Sequence, residues 1–533
     1  MQTLTLEQAR AQRWDVIVIG TGMGGGLLGR RLAELGQRVL FVEKGPAGHA
    51  AERQHLTTTI TDPAARLVRG AWPKPAESRL GGVRTRFMGP YGTGVGGSSA
   101  YYAGALEIPE RHDLDADPAR PHPAGGWPVG YDAFRPHFDR AARYLHLNGS
   151  PDPLSPEPPP GDLAPPGPLP PGDAALEAQM RATGLHPYRQ HMAVRWPQTC
   201  RQCFGRKCPW GCKMDGRSAG VVPALETGRA GLVTDCEVLE ILDDGTRVTG
   251  LRVAQNGQGG GLEAPRYALC AGSLGSPRLL LGSRRRRPEG VANSSGWVGR
   301  GLMFHLNEFF LLWPRGGGDQ FGRSFSLRDV YSRDGLRFGL VQSLGLEASY
   351  GNIVFFMGQI FDQSPLRRFP ALRGLVRIPA LVASRLFGSA SVFVGQMEDF
   401  PYPENRVVLN EEDPEILTFE YRFAPELLAR RRRFRRELMR RFRGLPRLLV
   451  SPQPVLNFGH PVGTLRFGTD PASSVLRPDC RTHDLDNLYV ADGSFMPSAL
   501  GVNPSLTIAA NALRVAEIIA RTAGRQEETA DAP

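Results

Sequence analysis

The sequence predicts an α/β protein in which separated stretches of chain build one parallel sheet, with an inserted α+β unit that carries a mainly antiparallel sheet. Three observations carry this expectation. Near the N-terminus a short apolar run leads straight into a glycine cluster and a helix pattern. Strand-like runs crowd the middle of the chain, at 305–313, 337–343, 353–359, 391–396 and 405–409. Strand and helix patterns then alternate again near the end, at Leu488–Ala491 and Thr507–Ala520. At 533 residues the chain exceeds the usual single-domain range, so two domains are expected.

The first unit has its punctuation in place. WDVIVI at 14–19 is apolar and β-branched after Asp15, as a central parallel strand requires. Gly20, Gly22 and Gly25 follow, then an apolar helix pattern from Leu27 to Leu35, closed by Gly36. A second strand, Arg38–Val42, ends at Glu43, 18 residues past Gly25. This is the βαβ pattern of a Rossmann-type dinucleotide site. Gly20 allows the tight turn, Gly22 lets backbone approach a pyrophosphate, and Gly25 lets helix and strand pack closely. The amides of Met23 and Gly24 would face phosphates at the helix start. Glu43 would accept hydrogen bonds from ribose hydroxyls.

A second bare segment holds Gly92, Gly94, Gly96, Gly97, Ser98 and Ser99, flanked by Tyr101 and Tyr102. It suits close approach to a flat ring or a diphosphate, with Ser98 and Ser99 as donors; the plain alternative is a linker. Residues 145–172 form a Pro/Gly/Asp-rich loop, and 248–270 read as short strands around the turn NGQGGG. The nucleotide domain is therefore expected at 1–125, 214–302 and 452–525, the inserted domain at 126–213 and 303–451, and a disordered tail at 526–533.

The formal charge is +11, and 60 of 64 basic residues are Arg, the lysines being Lys44, Lys74, Lys207 and Lys213. Such a bias follows genome composition better than a nucleic-acid surface, and no zinc-finger spacing or aromatic-interleaved patch accompanies it. No nucleic-acid partner is expected. Residues 1–13 lack the apolar core of a signal peptide, and no run of 18 apolar residues occurs. A cytoplasmic location is expected, with membrane association only by peripheral contact. Two stretches bear on that contact. Residues 426–449 form a basic helix pattern with Leu427, Leu428, Phe434, Leu438 and Phe442 on an apolar face, and 364–387 alternates apolar residues with Arg around Pro370 and Pro379. They read as solvated surface covered by Arg stems, or as a membrane contact or lid.

Four of the seven cysteines, Cys200, Cys203, Cys208 and Cys212, follow C-x2-C-x4-C-x3-C. Four soft ligands this close suit an iron–sulfur cluster or zinc, while disulfides or free thiols are the alternatives. The spacing matches neither ferredoxin nor a zinc knuckle.

These segments together resemble the glucose–methanol–choline (GMC) family of FAD-dependent oxidoreductases. Besides the N-terminal fingerprint, the resemblance rests on GTGVGGSS at 92–99, AGSLGSPRLLL at 271–281, VGRGLMFH at 298–305 and ENRVVLN at 404–410. It closes with HPVGTLRFG at 460–468 and LYVADGSFMPSALGVNPSLTIAANALRVAEII at 488–519. It implies a two-domain flavoprotein that moves a hydride from an alcohol carbon to flavin N5 and passes electrons to oxygen, a quinone or a redox protein. Asp492 and Gly493 match the family's second flavin motif, and Tyr102 stands where members often carry Asn. His460 matches the active-site histidine and Asn503 its His-or-Asn partner, which also borders the flavin. A neutral imidazole can take the hydroxyl proton, and Asn503 can donate to the substrate oxygen. His305 either faces the flavin or substrate, or packs at the domain junction. No His lies between 56 and 110, so FAD is expected to be non-covalent. The Cys-rich segment and apolar middle favour a sterol or long-chain alcohol as substrate; a sugar or polyol is the alternative, and non-redox lyase or isomerase chemistry on the same fold is a weaker one.

Overall fold

The computed structural model describes residues 1–48, 62–196, 200, 207, 208, 210–316, 320–347, 353, 354, 357, 358, 361, 365–387 and 390–530. Five short strands form the central sheet: β1 (Val16–Ile19), β2 (Val39–Val42), β3 (Ala230–Val233), β4 (Arg266–Leu269) and β5 (Leu488–Val490). Every pairing is parallel, in the order β5-β4-β1-β2-β3. β1, β2 and β5 are buried at every residue, which is why they read as continuous apolar runs rather than alternating ones. Sequence-distant segments thus complete one sheet, as expected of a discontinuous α/β unit.

Three helices position the site: α1 (Met23–Glu34), α2 (Gly272–Gly282) and α3 (Ser505–Ala530). α1 packs on α3 and is pressed from three sides by backbone. A Cβ on Gly24 would lie 2.0 Å from the Ala491 carbonyl oxygen, on Gly25 2.1 Å from that of Gly20, and on Gly26 2.2 Å from that of Gly216. Real side chains do not approach backbone so closely, so the run of glycines is a packing requirement as well as a turn. α3 extends beyond the Thr507–Ala520 pattern to Ala530, taking in part of the stretch expected as a disordered tail; 531–533 lie outside the described residues.

The inserted sheet is antiparallel throughout. Its order is Arg447–Leu449, Leu306–Leu312, Ser391–Met397, Val341–Glu347, Phe325–Leu327 and Tyr188–Arg189, with Val455–Leu456 also on Leu306–Leu312. One expected strand, 353–359, is not one: its described residues 353, 354, 357 and 358 are helical. The preceding strand, Val341–Glu347, is already paired on both edges, so the run finds no free edge there, and a short apolar run alone does not distinguish strand from helix. The strand expected at 405–409 forms as Arg406–Val408, but in a separate four-stranded sheet with Thr418–Tyr421, Ala76–Leu80 and Val83–Phe87. That sheet joins N-terminal residues to the inserted segment. The NGQGGG turn is a hairpin between Val248–Gln255 and Gln258–Leu262, with Asn256 (φ 50°) and Gly257 (φ 82°) at its tip.

The basic stretch forms a helix, Pro425–Arg441, with Leu427, Phe434 and Leu438 fully buried. Its central arginines turn inward: Arg431 and Arg435 pair with the buried Glu308, and Arg430 donates to the carbonyls of Arg337 and Glu398. Among the described residues no helix is long and apolar enough to cross a membrane.

Candidate active site

A cleft of about 1320 Å³, including its open mouth, lies at the carboxyl ends of β1, β2, β4 and β5. In an open parallel sheet this is where ligands bind, because the loops diverge there and helix N-termini point inward. Of the residues singled out from sequence, Gly20, Gly22, Met23, Gly24, Glu43, Gly97, Ser98, Ser99, His460, Asp492 and Gly493 line it. Gly25 and Gly94 do not. Gly25 serves packing, and a Cβ on Gly94 would sit 3.0 Å from Gly70 Cα and 3.1 Å from the Pro46 carbonyl.

The first turn of α1 is built to receive an anion. Gly22 is its N-cap, in extended backbone (φ −64°, ψ −166°), and no side chain caps the helix. A Cβ added to Gly22 would meet nothing within 4 Å, so a side chain there would project into open cleft. The second glycine loop lies directly on the first: a Cβ on Gly97, itself left-handed at φ +52°, would lie 3.0 Å from Gly22 Cα. Ser98 accepts the Gly92 amide at 3.0 Å and is exposed. Ser99, expected as a donor toward the ligand, gives its hydrogen to the Gly96 carbonyl at 2.6 Å and accepts the Gly216 amide at 3.0 Å. Its hydroxyl is spent on holding the loop.

Glu43 is buried at the end of β2. Its carboxylate accepts from the Thr21 amide at 3.1 Å, the Thr21 hydroxyl at 2.5 Å and the Gly45 amide at 3.0 Å. Burial pushes its pKa up, and these hydrogen bonds pull the other way. Asp492 has a similar anchoring geometry. One oxygen accepts from the Gly272 amide at 2.8 Å and Ser276 Oγ at 2.5 Å; the other takes the amide and hydroxyl of Ser494. Asp492 therefore ties the end of β5 to the start of α2, and burial raises its pKa.

His460 forms part of the cleft wall and is half-buried. Its turn is pinned to the segment that leads into Leu306–Leu312: Met303 and Val462 exchange backbone hydrogen bonds, and the Asn457 amide donates to the His305 carbonyl. His460 Nδ1 lies 3.2 Å from Nδ1 of the fully buried His305. Burial, then the neighbouring His305, lower the His460 pKa well below the ordinary value, and burial lowers that of His305 to about 4. Both shifts favour the neutral imidazole. Asn503 is buried behind the wall, next to the lining residue Pro504. Its Nδ2 donates to Gln396 Oε1 at 3.3 Å, whereas its Oδ1 has no hydrogen-bond partner among the described residues. The row continues from Gln396 to Gln342 at 2.7 Å and from Gln342 to Ser326 at 3.2 Å.

Some lining groups carried no motif, Trp72 among them. Trp72 comes from a segment between the glycine loops, with Lys44 Nζ 4.7 Å and Arg278 5.7 Å from its ring. Only folding brings it to the cleft. Tyr102 also lines the cleft, its hydroxyl donating to the Met214 carbonyl. Of the cysteines, Cys208 and Cys212 sulfurs lie 3.1 Å apart, Cys200 is part-buried, and Cys203 lies outside the described residues. Among the described residues no group of three or more His, Cys, Asp or Glu is gathered as for a metal ion.

The cleft fits FAD: an uncapped helix start with a glycine face open to the ligand, a buried acid at the end of β2, and a second glycine loop laid over the first. Comparison with known proteins agrees. Signatures described as GMC oxidoreductase match residues 17–307 and 401–512. The 6'''-hydroxyparomomycin C oxidase of Streptomyces lividus is 29% identical, over 97% of this chain and 93% of that protein. The fructose dehydrogenase large subunit of Gluconobacter japonicus is 24% identical, over 95% and 97%. The crystal structure of pyridoxine 4-oxidase from Mesorbium loti shares the fold, with a TM-score of 0.60 at 17% identity over 95% and 99% of the two chains. Fold, cleft and signatures define an FAD-dependent oxidoreductase acting on a CH–OH-bearing substrate. The chain belongs to the GMC oxidoreductase family.

Proposed function

We propose that this enzyme oxidises a hydroxyl group of a sugar-like, polyhydroxylated molecule, with His460 as the base. The observation that carries the reading is a half-buried imidazole in the wall of a dinucleotide cleft, its pKa lowered by burial. FAD, when bound, supplies the two-electron acceptor for the carbon-bound hydrogen. The chain's own residues do the rest. The Met23 and Gly24 amides and the α1 dipole hold phosphate charge, and Glu43 takes ribose hydroxyls. His460 removes the hydroxyl proton, which an alcohol must lose as its hydride departs. Asn503 has one amide hydrogen beyond the one given to Gln396, and a buried Oδ1 with no partner among the described residues. A group left so costs about 1–3 kcal/mol until a ligand satisfies it.

The polyol assignment replaces the leaning toward sterols and long-chain alcohols. Relatives that align over nearly the whole chain include 6'''-hydroxyparomomycin C oxidase and paromamine 6'-oxidase, at 29% and 27% identity, 2-methyl-1,2-propanediol dehydrogenase at 26%, and the fructose dehydrogenase large subunit at 24%. The similarity to a long-chain-alcohol oxidase spans 49 residues, 9% of the chain. Anaerobic bleaching of the flavin band by a panel of aminoglycosides, sugars, diols and long-chain alcohols tests the reading. Faster bleaching by the polyhydroxylated members is expected; bleaching by long-chain alcohols alone overturns the substrate class, and bleaching by none overturns alcohol oxidation. Oxygen uptake against dye reduction then separates oxidase from dehydrogenase.

Two further assignments are proposed. The segment at 365–387 presents Leu366, Phe369, Leu372, Leu375, Ile378, Leu381 and Val382 to solvent, with Ile378 65% exposed. Between residues 363 and 397 it carries five Arg and no acid. An anionic lipid surface matches both properties. The cysteine segment is assigned to soft-metal binding on its donor set, four thiols between residues 200 and 212; iron and zinc analysis of the purified protein tests this, and a metal-free, fully active enzyme overturns it.

A further inference from the structure

His305 makes two ring contacts and no others are needed to fix its protons. Its Nε2 lies 3.0 Å from the Leu500 carbonyl oxygen. A carbonyl only accepts, so Nε2 carries hydrogen, and neutral His305 has a bare lone pair on Nδ1. Leu500 is a non-glycine residue in left-handed backbone, φ 65°. That conformation is uncommon and costs about 1 kcal/mol or more, and here it belongs to the residue whose carbonyl meets His305. The bare Nδ1 of His305 faces Nδ1 of His460 at 3.2 Å, the two rings edge to face at 84°.

Two bare nitrogens facing each other at that distance, one of them on the fully buried His305, repel. A hydrogen on His460 Nδ1 turns the contact into a hydrogen bond and leaves His460 Nε2 bare. Nε2, across the ring from the Nδ1 edge that meets the fully buried His305, is then the nitrogen left to serve the cleft that His460 lines. One neighbour pulls the other way. Asn457 Nδ2 also lies 3.2 Å from His460 Nδ1, and its own Oδ1 accepts the Gly459 amide at 3.1 Å. Asn457 is part-exposed, so water can take its hydrogens; the lone pair of His305 has no such outlet.

We propose that His305 is a positioning residue that, through the chain Leu500 carbonyl–His305–His460, holds His460 in the tautomer whose Nε2 can accept a proton from substrate. The inference deepens the base role given to His460 above. In the step itself the substrate hydroxyl proton passes to His460 Nε2, and bound FAD would supply the acceptor for the carbon-bound hydrogen and its electron pair; His305 exchanges no proton. A His in the other tautomer offers an N–H to the hydroxyl and cannot take its proton.

Histidine-selective 15N labelling of the holoenzyme tests this directly, with the His460 resonances identified by their loss in His460→Gln. The expected spectrum at pH 7.5 shows His460 protonated on Nδ1 and bare on Nε2. A wild-type His460 protonated on Nε2 overturns the proposal whether or not any alcohol is oxidised, so its failure is distinct from failure of the functional reading. Kinetics supply the second arm. His305→Leu, which removes donor and acceptor, is expected to lower the rate of flavin bleaching by about 100-fold, within the range of lost general-base catalysis, with little change in KM. His305→Gln keeps one donor and one acceptor and is expected to recover to within about threefold of wild type. Equal loss in both variants, with FAD still bound, overturns the proposal. Asn457→Ala is expected to leave the tautomer unchanged; a shift to Nε2–H in that variant also overturns it.

Discussion

Gly22 and Gly24 lie two residues apart at the start of the same helix, yet the structure gives them opposite tasks, and Ala or Val substitutions separate them. At Gly24 an added Cβ would sit 2.0 Å from the Ala491 carbonyl oxygen and 3.2 Å from Asp492 Cα. Both obstacles are backbone of the strand end that α1 packs upon, so the helix itself must move. Overpacking of this kind costs about 1–3 kcal/mol or more, so Gly24→Ala is expected to lower the urea midpoint of the FAD-free protein. At Gly22 the backbone is extended and the Cβ position is empty. Gly22→Val therefore leaves apo stability within about 1 kcal/mol of wild type, the scale of an N-cap change. Its side chain fills the approach to the Met23 and Gly24 amides. Two hydrogen bonds to a charged phosphate are worth about 1.5–3 kcal/mol each. Their loss raises the Kd of FAD by about 10²- to 10⁴-fold, at 1.4 kcal/mol per decade. Urea melts of apoprotein and titration with FAD by flavin fluorescence read the two effects. Unchanged FAD affinity in a well-folded Gly22→Val variant would refute the placement of the phosphates at α1.

Further outcomes follow from the same geometry. His460→Ala retains FAD, released on denaturation, and loses about 10²- to 10⁴-fold in flavin reduction; near-normal turnover removes His460 from the base role. Because burial depresses the His460 pKa, the rising limb of kcat/KM lies below pH 6.5 and the rate is flat through neutrality, whereas a midpoint above 7 contradicts the assignment. Asp492→Ala strands the part-buried Gly272 amide and the buried Ser494 amide, so apoprotein stability falls by about 2–5 kcal/mol even without FAD; a change seen only in the holoprotein would show a ligand role instead. His305 is folded with a pKa of about 4 against 6.5, so it stays neutral while its unfolded counterpart protonates. Its contribution to stability is whole above pH 6.5 and is lost as pH falls toward 4, by about 3 kcal/mol in all. Asp399, pushed up to about 7 by burial, runs the other way in that window. The flattening of the acid limb in His305→Gln relative to wild type is therefore the quantity to measure, and parallel limbs refute it. Finally, cosedimentation with anionic vesicles is expected for the native chain and lost in Phe369→Ser/Ile378→Ser, while neutral vesicles bind weakly; no binding to either removes the lipid assignment.

The sequence by itself determined the parallel sheet and the place of the dinucleotide site. A buried parallel strand must be apolar at every position, and a helix start that meets phosphate must lack side chains, so Val16–Ile19 and the Gly20–Gly25 turn declare themselves locally. The sheet-rich insert was legible at 305–313 and 391–396 because apolar-rich runs of strand length recur there. Residues 353–359 read as strand because an apolar run does not say whether a neighbouring edge is free. Single residues were less legible. Ser99 and Asp492 are polar groups in flavin motifs, and only their partners reveal that Ser99 holds its own loop and that Asp492 ties β5 to α2. Trp72 has no motif at all. The pairing of His305 with His460, 155 residues apart, was decided entirely by tertiary structure, since proton placement depends on which atoms face each other and how dry the space between them is. Composition and spacing name the groups able to carry charge and protons. The burial and partners that set their state exist only once the chain has closed around them.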